Sequence, residues 1–98
     1  MGKVLFSIRY EINPEKRESY LDVIRELKSL IKAEGLESYS VFEQKGKTNN
    51  FEEVYVFESK EAYEDFDDDP NERVDLLMNK LTDMVKEGST RYSTLFEI

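Results

Sequence analysis

The chain has 98 residues, enough for one domain with a single modest core and no room for a second. It contains no cysteine and no histidine, which excludes a disulfide framework, thiolate or imidazole metal ligation, the usual protein ligand of haem iron and the commonest general base. The net charge of −8 argues against a nucleic-acid partner, which needs clustered lysine and arginine, and leaves solubility as the simplest reason for the acidity.

From Val4 to Ile12 the residues alternate, with Val4, Phe6, Ile8, Tyr10 and Ile12 on one face and Leu5, Ser7, Arg9 and Glu11 on the other, which predicts a first strand. Polar residues within this stretch make it unlike a secretory leader, and no run approaches the roughly 20 apolar residues of a membrane span, so a cytoplasmic protein without membrane contact is expected. Asn13 and Pro14 read as the N-cap and first turn of a long helix. Its stripe is Tyr20, Val23, Ile24, Leu27, Leu30 and Ile31, and Gly35 is expected to end it as a left-handed cap. Leu36 to Gln44 predicts a second strand, with Tyr39 and Val41 on one face and Ser38, Ser40 and Phe42 on the other. The polar turn KGKTNN then returns the chain as a hairpin into a third strand, Glu52 to Glu58.

Ser59 reads as the N-cap of a short helix, Lys60 to Phe66. The acidic run Asp67 to Asp69 follows. It lacks the spacing of a calcium loop and is explained by solvation and by the dipole of the next helix, so no metal is expected. Asp69, Pro70 and Glu72 predict the start of a third helix whose stripe is Val74, Leu77, Met78, Leu81, Met84 and Val85, closed by Gly88. Thr90 to Ile98 predicts the last strand. No glycine-rich phosphate loop is present, because none of the glycines at 2, 35, 46 and 88 opens a helix.

This order predicts an α+β domain over residues 1–98, with the ferredoxin-like β-α-β-β-α-β arrangement and a four-stranded antiparallel sheet. Helices on one face of such a sheet leave the other bare. Leu5, Phe42, Tyr55, Phe57 and Leu95 are assigned to that bare face, and so much apolar surface predicts a homodimer whose sheets enclose a shared interior.

The stretch Phe57 to Phe66, FESKEAYEDF, together with the order of elements over the whole chain, resembles the dimeric α/β-barrel superfamily in its antibiotic biosynthesis monooxygenase-like branch. Members of that branch commonly have tryptophan where Phe57 stands and histidine where Phe66 stands. This chain keeps the aromatic character and loses both polar handles. The resemblance implies oxidation of a small aromatic molecule without metal, flavin or other cofactor. It does not extend to haem degradation, which depends on a histidine ligand.

Candidate pocket residues are Ser7, Arg9, Ser40, Phe42, Tyr55, Phe57, Phe66 and Ser93. Arg9 is read either as a cation for a phenolate or carboxylate ligand or as the partner of Glu11, Glu53 or Glu43 in a structural ion pair. The serines leave room for a ligand but are also ordinary strand surface. Tyr39, Tyr55 and Tyr92 are candidates for pocket hydrogen bonds or for core anchors, and Tyr63 for packing. Besides a monooxygenase-like enzyme, the pattern permits a non-catalytic small-molecule binder or a structural dimer filled by its own aromatics. A cavity of roughly 300 Å³ or more separates the last reading from the others.

Overall fold

Strand formation follows the alternation of β-branched and aromatic residues: β1 is Val4–Glu11, β2 Leu36–Glu43, β3 Asn50–Phe57 and β4 Arg91–Phe96. The computed structural model describes residues 2–66 and 71–98. All neighbouring strands pair antiparallel in the order β2-β3-β1-β4, so the ferredoxin-like topology holds and the first strand lies inside the sheet.

Helices α1 (Arg17–Leu30), α2 (Lys60–Asp65) and α3 (Glu72–Met84) cover one face. Tyr20, Val23, Ile24 and Leu27 of α1 and Leu77, Leu81 and Met84 of α3 are buried, as their helical spacing requires. Ser59 caps α2 by accepting from the Ala62 amide. The expected cap at Asn13 is absent, because its side chain accepts no amide; Pro14–Lys16 instead form a 3-10 turn that leads into α1. Asn71 caps α3, accepting from the Arg73 and Val74 amides, whereas the cap expected at Asp69 and Pro70 lies outside the described residues.

The long helix ends at Leu30, before Gly35, and α3 ends at Met84, before Gly88. Gly35 has φ +84° and serves the turn into β2, where its carbonyl accepts the Glu58 amide at 2.8 Å. A β-carbon there would run into Ala62, so this glycine also lets α2 approach the sheet.

Register divides the strand residues cleanly. Val4, Phe6, Ile8 and Tyr10 stand beside Phe57, Tyr55, Glu53 and Phe51 on the helix side. On the open side three rows cross the sheet: Ser38, Val56, Leu5, Leu95; then Ser40, Val54, Ser7, Ser93; then Phe42, Glu52, Arg9, Arg91. Tyr55 and Phe57 are therefore not on the helix-free face. They are 3% and 1% exposed beneath the helices, and Val54 and Val56, which alternate with them, point the other way. Leu5, Phe42 and Leu95 do occupy the open face, at 38%, 59% and 60% exposure.

Candidate functional site

A cavity of about 430 Å³ lies between the helix side of the sheet and all three helices. Its floor is Phe6 and Ile8 from β1 with Tyr55 and Phe57 from β3. Leu30 and Ile31 at the end of α1, Tyr63 and Phe66 at α2, and Val74 and Met78 on α3 form the walls. Lys32, Glu64, Asn71 and Asp75 complete the lining; all but Asn71 are exposed. The aromatic part is a continuous cluster. Phe66 meets Tyr55 and Phe57 edge-on at 5.4 and 5.2 Å, Tyr63 meets Phe57 edge-on at 5.6 Å, and Phe6 lies 5.7 Å from Tyr55. Such a surface accepts a flat apolar ring on its faces and edges.

Beside the floor stands a buried carboxylate. Glu53, 1% exposed, precedes Tyr55 by one strand repeat and is the cross-strand partner of Ile8. The Tyr10 hydroxyl donates to its Oε2 at 2.7 Å and the Tyr39 hydroxyl to its Oε1 at 2.7 Å. The Tyr55 hydroxyl also acts on this carboxylate in the direction that favours the anion. The Tyr20 hydroxyl lies 2.8 Å from that of Tyr10; since Tyr10 gives its proton to Glu53, Tyr20 is the donor between them. Among the described residues no lysine or arginine pairs with Glu53. Burial raises its pKa above the usual carboxylate range, and the tyrosine hydrogen bonds oppose that shift. Burial likewise raises the phenols of Tyr10, Tyr39 and Tyr20, so they are donors throughout the ordinary pH range.

The predicted site residues fall into two groups. Tyr55, Phe57 and Phe66 come together in the cavity. Ser7, Arg9, Ser40, Phe42 and Ser93 lie on the opposite face of the sheet and share no cavity with them. Arg9 donates to Glu52 at 3.1 Å in a half-exposed pair. None of its expected partners is used: Glu11 binds Lys86, Glu43 binds Arg17 and Glu53 binds tyrosines. The Arg17 guanidinium, with the Asn49 amide, holds the Glu43 carboxyl down to about 2. Tyr39 proves to be a Glu53 donor, Tyr63 a cavity wall, and Tyr92 an exposed ring on the edge strand, stacked 6.3 Å from Phe6.

Sequence reasoning missed Phe6 and Ile8 as floor and the tyrosine cage around Glu53. The signal for the cage was a glutamate in phase with Phe51, Tyr55 and Phe57. Among the described residues no group of three or more acidic side chains is placed to hold a metal ion. No helix among them is long and apolar enough to cross a membrane.

Comparison with known proteins agrees with this geometry. The profile of the family "Antibiotic biosynthesis monooxygenase" matches residues 4–71. No curated protein matches the chain in sequence. Among solved structures, a conserved protein from Methanosarcina mazei superposes with a TM-score of 0.80 at 12% identity, covering 97% of this chain and 92% of the other. A Caulobacter crescentus protein named for the same family gives 0.81 at 14% identity, with 99% and 91% covered. A variant of SnoaB from Streptomyces nogalater gives 0.73 at 13% identity, with 95% and 90% covered. At these identities the likeness is one of fold.

Proposed function

The chain belongs to the antibiotic biosynthesis monooxygenase family, and from that premise we propose that it takes a small aromatic molecule into the cavity between sheet and helices and oxidises it with molecular oxygen, without metal or flavin. The observation that carries this reading is the aromatic cavity of about 430 Å³, which exceeds the roughly 300 Å³ that separates a ligand pocket from a filled interior. The Streptomyces nogalater neighbour, a cofactor-independent oxygenase, supports the reaction class. A monooxygenation that draws all its electrons from the substrate puts one oxygen atom on carbon and releases the other as water. In a phenol the O–H and the ring C–H opposite it supply both hydrogens, and the ring becomes a quinone. Tyr55, Phe57 and Phe66 would hold the ring, with Phe6 and Tyr63 closing on it.

The open face supports a second part of the reading. Leu5, Phe42 and Leu95 are exposed there beside Val54 and Val56, and a second copy of the chain laid on this face would form a homodimer in a cytoplasmic setting. Ser7, Arg9, Ser40, Phe42 and Ser93 then belong to the subunit interface, and the ligand site lies within each subunit.

Incubation with a panel of one-, two- and three-ring phenols under ¹⁸O₂ tests the chemistry. Label in a carbonyl product, absent when Phe66→Asp removes a wall ring and puts a charge in its place, is the expected result. Saturable binding without oxygen uptake would make the protein a non-catalytic binder, and no binding at all would overturn the cavity reading. Light scattering at micromolar concentration tests the dimer.

A further inference from the structure

We infer that Glu53 is the internal proton acceptor for a phenol held in the cavity, with Tyr55 passing the proton between them; this rests on the cavity reading above. Three observations carry it. Tyr55 is shared: its side chain is cavity floor, and it stands one strand repeat from Glu53 on the same face, where its hydroxyl favours the anion. Ile8, another floor residue, is the cross-strand neighbour of Glu53, so the carboxylate stands beside the cavity floor. Finally, both Glu53 oxygens accept from tyrosine hydroxyls, and the chain Tyr20 to Tyr10 to Glu53 runs donor to acceptor toward the carboxylate, an arrangement that suits the anion.

A carboxylate in this position is costly to a purely structural core. Without a cation beside it, a buried anion pays a large desolvation penalty, and an apolar residue of the same volume would fill the space at less cost. The groups facing Glu53 are Tyr10 from β1, Tyr20 from α1, Tyr39 from β2 and Tyr55 on its own strand; Glu43, paired with Arg17, acts electrostatically on Tyr20. Burial makes Glu53 a stronger base than a surface glutamate, while its donors keep the anion tolerable.

The step is a transfer of one proton. The O–H bond of the bound phenol breaks and its proton goes to Tyr55 Oη as the Tyr55 proton goes to a Glu53 oxygen. The negative charge moves from Glu53 to the ligand, so the closed site carries one negative charge before and after. Release of the same proton to solvent would instead place a second anion beside the first. An electron-rich phenolate is the form that gives up electrons to oxygen.

p-Nitrophenol, whose phenol and phenolate forms absorb at different wavelengths, tests the proposal directly. Titrated in the bound state, the wild type should show the phenolate band below the probe's own solution midpoint. Glu53→Gln should bind the probe as the neutral phenol, with the midpoint higher by about one pH unit or more, a factor of at least about ten in proton affinity. If Glu53→Gln does not fold, Tyr55→Phe takes its place, because it removes the relay hydroxyl and leaves Tyr10 and Tyr39 on the carboxylate. Binding with the same midpoint in wild type and variant overturns the inference and makes the cage structural. A wild type that binds no probe overturns the cavity reading instead, and the inference falls with it.

Discussion

The two faces of the sheet solve the same problem in opposite ways. On the helix side large rings of the central strands pack edge to face against the helices, and the buried acid among them, Glu53, is surrounded by hydroxyl donors. On the open side the polar residues meet water, Arg9 and Glu52 form an exposed cross-strand pair, and Phe42 and Leu95 lie uncovered. Along β3, residue size separates the faces better than polarity does. The helix side takes Phe and Tyr from β3, and the open side takes the two valines between them.

The widest expected contrast is between two phenylalanines. Phe57→Ala empties a fully buried ring site and should cost about 3 to 5 kcal/mol, whereas Phe42→Ala on the separated chain should cost less than about 1. Urea melts read both, and equal losses would break the comparison. Tyr39→Phe comes next. It withdraws a donor from a buried carboxylate and should cost about 1.5 to 3 kcal/mol, or roughly 4 to 8 °C in melting temperature for each kcal/mol.

The same carboxylate gives a pH signature of known sign. Because the folded pKa of Glu53 is raised above its ordinary 4.5, its contribution to stability is complete below pH 4.5 and is lost as pH rises through the folded value. Glu43, held down to about 2, behaves in the opposite sense, contributing above 4.5 and losing that contribution as pH falls through about 2. Urea melts across pH should therefore show a decline above 4.5 that Glu53→Gln removes, and a flat profile there in the wild type would show that the tyrosines outweigh burial.

A smaller effect is expected at Leu95, where Leu95→Lys should weaken the proposed pairing of open faces by about tenfold, about 1.4 kcal/mol, without changing the melt of the separated chain. Sedimentation at several concentrations measures it. The smallest belongs to Arg9→Met. A pair as exposed as Arg9 and Glu52 contributes about 0 to 1 kcal/mol, so the melting temperature should hardly move. A large fall would mean that this face is buried in solution.

Most of the fold was legible in the sequence because β1 alternates strictly and α1 and α3 carry clean stripes. The phase of β3 was not. Val54, Tyr55, Val56 and Phe57 are all apolar, and Glu52 and Glu53 are both acidic, so neither run marks a face. That ambiguity sent Tyr55 and Phe57 to the wrong side and drew the serines and Arg9 into the same candidate pocket. Phe66 entered the candidate pocket through the resemblance of its segment to known relatives, since nothing in its own spacing separates a cavity wall from ordinary packing. The partner of Arg9 depended on cross-strand register, which sets Glu52 opposite it and which hairpin length alone does not determine.

The donors around Glu53 also differ in how far along the chain they come from. Tyr39 is 14 residues away, within one hairpin, and Tyr10 is 43 residues away on a strand that must travel to the centre of the sheet. Closing the longer loop costs about 1 kcal/mol more, so the hairpin should assemble while Glu53 is still hydrated, and β1 should seal it afterwards. The two hydroxyls then leave different kinetic traces, with Tyr39→Phe mainly slowing folding and Tyr10→Phe mainly hastening unfolding in stopped-flow measurements.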